Sequence, residues 1–263
     1  MSGALSIDET QRLLAGITPL ARDAGSEIMT YYQGDFEVRS KADSSPVTAA
    51  DEAAEEIIIA GLRDLAPDIP IVAEEATAAG KTEDVSAGRF WLVDPLDGTK
   101  EFVNHRGEFT VNIALVENQQ PILGVVFAPA LEVFYAASGP GTATVQRGSN
   151  PPETIAARRM PETGAIVTAS RSHSDMSKIQ ELMDRHSIKD TKISGSSIKF
   201  CLIAEGAADI YPRYGHTREW DTAAGHAVLA AAGGSVRTLD GSELIYNKEA
   251  FLNGEFIARG LDN

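Results

Sequence analysis

Two aspartates stand close together at the end of an apolar run, and their spacing predicts a metal site. The run at residues 90–93 leads into Asp94, Pro95 then forces a turn, and Asp97 returns beside Asp94. Two carboxylates this close repel each other unless a cation lies between them. Such hard oxygen ligands suit Mg²⁺, Mn²⁺ or Ca²⁺ rather than zinc. The residues leave a structural alternative open, in which Asp97 caps a helix and Asp94 accepts a turn hydrogen bond.

A second acidic pair, Glu74-Glu75, follows another short apolar run at residues 71–73. Taken alone, this pair could simply be part of a solvated loop. If the ends of the two predicted strands meet, however, three or four carboxylates come together. That is the composition of a two-metal phosphatase site.

Other stretches could hold an anion or complete a metal site. The loop at residues 194–199 places small residues, including Ser196, before a predicted helix, with Lys199 as its charge. Most loops rich in Gly and Ser are only connectors, so this one decides nothing by itself. Arg213 lies beside aromatic residues and could bind a phosphate or stack on a base. Asp221 is expected at a helix N-cap, where a carboxylate can also ligate a metal, and His226 on that helix is expected to pack rather than ligate.

The composition is typical of a globular protein and excludes several functions. The chain has 263 residues, 43% of them hydrophobic, and 23 Lys+Arg against 38 Asp+Glu give a net charge of −15. Such an acidic chain lacks the basic surface that nucleic-acid binding requires. The single cysteine, Cys201, excludes a disulfide framework and fits a reducing compartment. We therefore expect a cytoplasmic protein with no integral membrane segment, with peripheral attachment to the cytoplasmic face of the membrane as an alternative.

The acidity also bears on the chemistry. A negative protein repels phosphates unless its carboxylates recruit divalent cations, although acidic residues also keep a surface soluble. The sequence contains no Walker or dinucleotide-binding fingerprint, no G-x-S-x-G nucleophile elbow and no His pair at zinc spacing.

The hydrophobic periodicity predicts an α/β (α+β) protein in two subdomains. Residues 1–155 are expected to place helices at 8–32 and 49–65 on a mostly antiparallel sheet that carries most of the metal ligands. Residues 156–263 are expected to form an α/β subdomain that carries Asp221 and the substrate-binding residues. Its predicted helices lie at 175–186, 197–205 and 221–232. Residues 76–89 and 139–160 are expected to be loops, although 142–146 could form a strand.

Together, these stretches resemble the inositol-monophosphatase-like, lithium-sensitive, Mg²⁺-dependent phosphatases. The resemblance is carried by Glu74-Glu75, by the run Asp94-Pro95-Leu96-Asp97-Gly98-Thr99 and by Trp220-Asp221. It is closer to the CysQ-type 3′(2′),5′-bisphosphate nucleotidases, on further stretches at 40–43, 45–51, 100–102, 107–115, 195–201 and 211–213. The similarity implies a layered α/β/α/β/α sugar-phosphatase fold. It also implies removal of the 3′-phosphate of adenosine 3′,5′-bisphosphate (PAP), or of the related phosphosulfate PAPS, in sulfur metabolism.

The resemblance further implies roles for individual residues. Two or three Mg²⁺ ions would be held by the Leu96 carbonyl and by four carboxylates, those of Glu74, Asp94, Asp97 and Asp221. Glu75 would lie behind these ligands. Catalysis would fall to Glu74 and to Thr99 oriented by Asp51, which together prepare the attacking water. Substrate would be bound by Lys41, Gly98, Thr99, Ser196, Lys199, Arg213 and Asp221.

Two other functions remain open. An inositol or sugar monophosphatase of the same superfamily would have no second phosphate to hold, so Lys199 and Arg213 would be dispensable. A non-catalytic, metal-dependent nucleotide-binding protein should show a damaged site, whereas every matching ligand position here is Asp or Glu. The expected partner is a small-molecule nucleotide and not nucleic acid, and the expected assembly is a monomer or a homodimer.

Overall fold

The computed structural model describes residues 4–34, 38–40, 46–171 and 187–261, with the backbone alone at 38–40 and 46–48. Two predictions from the sequence lie outside these residues. One is the helix at 175–186, and the other is the role of Lys41 in substrate binding.

Two long helices form the first layer. Helix α1 (Ile7–Tyr32) packs beside α2 (Ala49–Leu65), which confirms both predicted helices to within a residue. At the start of α1, the Ser6 hydroxyl accepts the Glu9 N–H at 3.3 Å and the Glu9 carboxylate accepts the Ser6 N–H at 2.9 Å. The buried stripe of α1 has helical spacing and faces a sheet: Leu13, Ile17, Ala21, Ala24 and Ile28.

The second layer is a seven-stranded sheet with the strands in chain order. Its strands are β3 (Ile71–Ala73), β4 (Arg89–Asp97), β5 (Thr110–Glu117), β6 (Gln120–Ala128), β7 (Val133–Ala137), β8 (Thr144–Arg147) and β9 (Glu153–Thr154). Only β3 and β4 run parallel, so the mostly antiparallel sheet is confirmed. A separate antiparallel pair joins β1 (Val38–Ser40) to β2 (Pro46–Thr48).

Two segments expected to be loops are partly regular. Helix α3 (Glu74–Ala78) covers the first residues of the segment 76–89, and β8 and β9 extend the sheet within 139–160. The expectation of loops was wrong for α3 and β9, which are too short to give a periodic signal, whereas β8 overlaps the strand considered possible at 142–146. The pairing with β7 stabilises β8.

The third and fourth layers belong mainly to the second half of the chain. Helices α5 (Ile198–Ala204) and α6 (Trp220–Ala231) contact each other, and α6 covers β5 and β6. At Gly124 on β6, a Cβ atom would lie 3.0 Å from the Ala224 Cα, so glycine permits this close approach. The fourth layer is a five-stranded sheet in the order β11 (Ile188–Ile193), β10 (Ala165–Ala169), β12 (Ile210–Arg213), β16 (Phe256–Arg259) and β14 (Ser235–Thr238).

The described elements therefore form alternating helical and sheet layers, as the resemblance implies. The remaining pairs and helices are short: α4 (Thr99–Val103), β13 (Thr217–Arg218) and β15 (Leu252–Asn253). One hydrophobic core joins the two halves, since Phe90 and Val126 share a cluster with Phe200 and Trp220. The subdomain division near residue 155 stays a prediction. Within the described ranges, none of the helices is both long and apolar enough to cross a membrane.

His226 provides a test of this packing through the pH dependence of stability. It is 6% exposed on α6 and its Nδ1 lies 3.0 Å from the Tyr246 hydroxyl, so it packs as expected. Burial, with a smaller contribution from Lys248, lowers the pKa of His226 from 6.5 to about 4. As the pH falls below 6.5, His226 is protonated in the unfolded chain before it is protonated in the folded protein. The free energy of unfolding therefore falls as the pH falls toward 4.

We expect this group to cost about 2 kcal/mol of stability by pH 5 relative to pH 7.5. Denaturant unfolding of wild type and His226→Gln at both pH values isolates the contribution, because the other titrating groups cancel in the comparison. An equal pH dependence in the two proteins would contradict the buried, uncharged state of His226.

Candidate active site

The aspartates of β4 lie at a break in the sheet. Pairing between β4 and β5 is regular up to Asp94 and resumes only at Asp97, which lies opposite Thr110. Pro95 has no N–H to donate, so the ladder must be interrupted there. The freed Asp94 Oδ1 accepts the N–H of Leu96 at 3.1 Å. This turn hydrogen bond is the structural alternative considered for Asp94, and it leaves the other carboxylate oxygen available.

Gly98 completes the turn and begins the next helix. Its φ of 91° is left-handed, and a Cβ atom here would lie 3.1 Å from the Glu108 carbonyl oxygen. Both facts require glycine at this position. Because Gly98, and not Asp97, occupies the N-cap of α4, the capping alternative for Asp97 does not describe this structure.

Three carboxylates converge from three different elements. Oxygen atoms of Glu74, Asp94 and Asp221 all lie within 4.8 Å of one another. Glu74 begins α3, immediately after β3, whose parallel pairing with β4 brings the ends of both strands to one edge. Asp221 enters from the first turn of α6, where its Oδ2 accepts the Arg218 N–H at 2.8 Å. The sequence had suggested that these strand ends meet, and the structure brings them together.

The expected N-cap position of Asp221 was wrong, because Glu219 occupies the N-cap and Asp221 lies inside the helix. The fully buried carboxylate of Glu219 does not cap α6. It accepts the N–H groups of Asn247 and Lys248 at 2.8 and 2.9 Å, and pairs with the Lys248 ammonium at 2.8 Å. Glu219 thereby fixes the start of α6 against the loop that precedes β15.

The electrostatics of the cluster are those of a cation site. Burial raises the pKa of Asp94 well above its usual value, and the neighbouring carboxylates raise it further: Glu74, Asp97, Asp221 and Asp51. Burial also raises the pKa of Asp221, with Asp97 and Glu74 adding to the shift. An all-oxygen set of mutually repelling donors fits a hard divalent ion.

Asp97 lies outside the close triplet and faces the other side of the site. Burial raises its pKa, whereas the Lys199 ammonium, the Ser196 hydroxyl and the Ser197 N–H lower it. Its carboxylate therefore lies between the acidic cluster and the loop at 194–199. Its role as a metal ligand stays a prediction.

The other residues predicted for catalysis are nearby. Asp51 is 1% exposed in the first turn of α2, and it is close enough to Asp94 to raise its pKa. Thr99 begins α4, and it lines the same cavity as the buried Leu96. The N–H of Glu75 donates to the Glu55 carboxylate at 2.8 Å. The orientation of Thr99 by Asp51 stays a prediction.

Sequence reasoning missed Glu55. This residue of α2 is 5% exposed, and its carboxylate accepts the N–H groups of Glu75 and Ala76, both at 2.8 Å. It thus anchors the first turn of α3, which carries Glu74. Burial raises the pKa of Glu55 to about 7, although these two hydrogen bonds oppose the shift. The signal was its helical spacing from Asp51, which places both acids on one face of α2.

The acids line one side of a cavity of about 260 Å³, and basic groups line the other. Lys199 is 3% exposed, and burial lowers its pKa to about 8. Its Nζ donates to the carbonyl oxygens of Ser194, at 3.3 Å, and Ser196. Arg213 on β12 donates to the carbonyl oxygens of Gly215 and His216, at 3.2 and 3.1 Å. The structure thus brings Gly98, Thr99, Ser196, Lys199, Arg213 and Asp221 to one cavity.

Comparison with known proteins agrees with this architecture. Residues 9–260 match the inositol monophosphatase family. The 3′(2′),5′-bisphosphate nucleotidase CysQ of Shigella flexneri is 48% identical over 247 residues, which cover 93% of this chain and 98% of that protein. The chain therefore belongs to the inositol monophosphatase family, whose members are metal-dependent phosphatases.

Solved structures show the same relationship. The crystal structure of CysQ from Bacteroides thetaiotaomicron superposes with a TM-score of 0.80 at 36% identity, covering 95% of this chain and 97% of that one. Inositol monophosphatase from Anabaena superposes with a TM-score of 0.77 at 26% identity, covering 95% and 91%. The fold is thus common to enzymes named for different substrates.

The repulsion within the cluster predicts opposite effects of one substitution on stability and on metal binding. Without metal, the raised pKa of Asp94 means that its stabilising contribution is lost as the pH rises through that value. Asp94→Asn removes one charge and keeps an oxygen for the Leu96 N–H. We expect metal-free Asp94→Asn to melt roughly 2–6 °C above metal-free wild type at pH 8.

Addition of Mg²⁺ should raise the melting temperature of wild type and leave that of Asp94→Asn nearly unchanged. Thermal unfolding with EDTA and with excess Mg²⁺ measures both effects, with the exposed Asp68→Asn as the matched control. A normal Mg²⁺ shift in Asp94→Asn would show that Asp94 is not a metal ligand.

Proposed function

We propose that this chain is a Mg²⁺-dependent 3′(2′),5′-bisphosphate nucleotidase of the CysQ type that removes the 3′-phosphate of PAP to give AMP. The observation that carries this proposal is the polarity of the cavity. One side holds an acidic cluster that fits metal ions, and the other holds a buried lysine beside an arginine. A substrate with two phosphates matches both sides at once. Membership of the family and 48% identity to a nucleotidase of that name support the same reading.

We assign the metal ligands to Glu74, Asp94, the Leu96 carbonyl, Asp97 and Asp221, for two or three ions. When bound, Mg²⁺ lowers the pKa of a coordinated water and neutralises charge on the phosphate. The close carboxylate triplet and the raised pKa values support this assignment. Glu75 lies behind the ligands, while Glu55 holds the turn that presents Glu74.

The chain's own groups then orient the reaction. In our proposal the Thr99 hydroxyl, oriented by Asp51, positions the attacking water and accepts its proton while passing its own proton to the Asp51 carboxylate. The backbone N–H groups of Gly98 and Thr99 bind the scissile phosphate. Water attacks phosphorus as the bond to the 3′ oxygen breaks, and that oxygen takes a proton from solvent water. No covalent intermediate with the enzyme forms.

The second phosphate would be held at the basic side of the cavity. Lys199 is buried, and its ammonium already donates to two carbonyl oxygens, so it is preorganised rather than free to move in solvent. Arg213 is fixed in the same way by two carbonyls of its own turn. We assign Ser196, Lys199 and Arg213 to the 5′-phosphate and the nucleoside, and propose that the enzyme acts as a monomer or homodimer in the cytoplasm.

A comparison of substrates tests this proposal. We expect phosphate release with Mg²⁺ to be at least about 100-fold more efficient, in kcat/KM, for PAP than for inositol 1-phosphate, because the second phosphate adds charge-assisted hydrogen bonds. Arg213→Ala should raise KM for PAP about tenfold or more and should change KM for inositol 1-phosphate much less.

The exposed Arg12→Ala on α1 serves as the matched control for loss of an arginine. A preference for inositol 1-phosphate would retain the metal centre and reject the nucleotidase assignment. Release from neither compound, with Mg²⁺ still raising the melting temperature, would favour a metal-dependent binding protein.

A further inference from the structure

Strand β5 carries two buried polar residues that the proposed mechanism does not use. Thr110 is 0% exposed and Asn112 is 1% exposed, in a strand that is otherwise largely apolar. In the sheet, Thr110 lies opposite Asp97 and Asn112 lies opposite Asp94. Neither residue lines the cavity. Buried hydroxyl and amide groups cost free energy unless they are hydrogen-bonded, so their partners matter.

Their partners lie on the loop that leads into α5. The Thr110 Oγ1 is 2.5 Å from the Ser196 Oγ and 2.9 Å from the Ser197 Oγ. The Ser197 hydroxyl donates to the Asn112 Oδ1 at 2.6 Å. These hydrogen bonds join positions more than 80 residues apart in sequence. They connect the strand beside the metal ligands directly to the proposed phosphate loop.

The loop is held in a conformation that needs such support. Ser196 has a φ of 53°, a left-handed conformation that is unfavourable for a residue with a side chain. At its neighbour Gly195, a Cβ atom would lie 2.6 Å from the Glu108 carbonyl oxygen, so the loop is pressed against the start of β5. The Ser196 carbonyl, in turn, accepts a hydrogen bond from Lys199. The position of Ser196 therefore influences that of Lys199.

We propose that Thr110 is a positioning residue that determines specificity for a second phosphate. It acts through Ser196, which lines the cavity, and does not touch the substrate itself. Thr110 holds the Ser196 backbone in its left-handed conformation. It thereby fixes the distance of Ser196 and Lys199 from the turn that contains Asp94 and Asp97. This inference rests on the proposed nucleotidase function.

The test compares Thr110→Val, which keeps the shape and removes the hydroxyl, with Thr110→Ser, which keeps the hydroxyl. We expect Thr110→Val to raise KM for PAP about tenfold, with kcat changed less than about twofold. Its kcat/KM for 3′-AMP, which has the same 3′ leaving oxygen and no 5′-phosphate, should stay within about twofold of wild type. Thr110→Ser should retain most of the wild-type KM for PAP.

Binding of AMP, measured by calorimetry, gives a readout independent of catalysis. AMP keeps the 5′-phosphate, so Thr110→Val should weaken its binding by about the same factor as KM for PAP. Thr168→Val is the matched control, because Thr168 is also fully buried and its hydroxyl has no hydrogen-bond partner among the described residues.

Equal losses of kcat/KM for PAP and for 3′-AMP in Thr110→Val would overturn the role of Thr110. An unchanged KM for PAP together with unchanged AMP binding would also overturn it. A wild-type protein that binds AMP but hydrolyses neither nucleotide would instead reject the proposed function. In that case, weaker AMP binding by Thr110→Val would still support its effect on the phosphate loop.

Discussion

The carboxylates of Glu74, Asp94 and Asp221 repel one another, yet folding brings their oxygen atoms within 4.8 Å and removes Asp94 almost entirely from water. Packing elsewhere must therefore offset a local electrostatic cost. The parallel pairing of β3 with β4 fixes two of these groups on one buried edge, and the close packing of α6 on β6 at Gly124 fixes the third. A divalent cation bound among these carboxylates would relieve the repulsion, and its binding free energy would then also stabilise the fold.

The same cavity contains a second buried charge of opposite sign. Lys199 is buried away from solvent, and this burial lowers its pKa to about 8, while the Asp97 carboxylate opposes that shift. Asp97 interacts with both sides, because its charge raises the pKa of Asp94 and Asp221 while Lys199 lowers the pKa of Asp97 itself. The acidic and basic sides of the cavity are therefore electrostatically coupled through Asp97.

The sequence predicted the parts of this site whose backbone conformation is determined by the residue types of the segment itself. Pro95 interrupts a strand wherever it occurs, and Gly98 permits a left-handed turn, so the Asp94 to Gly98 turn could be read locally. Glu55 could not be read in this way, since its two hydrogen bonds depend on the docking of α2 against α3. The N-cap of α6 was misplaced for the same reason, because Glu219 is engaged by a loop distant in sequence.

Substrate choice within this family must depend on structure outside the metal centre. A nucleotidase and an inositol monophosphatase superpose on this chain with TM-scores of 0.80 and 0.77, so the layers that gather the acids are common to both. Discrimination then depends on groups that differ without disturbing those layers. The loop at 194–199 meets this condition, because its hydroxyl contacts with β5 fix its conformation while its cavity face stays available to ligand. In our proposal, a buried support of this kind changes specificity through a single hydroxyl, whereas a change in the acidic cluster affects metal binding for every substrate.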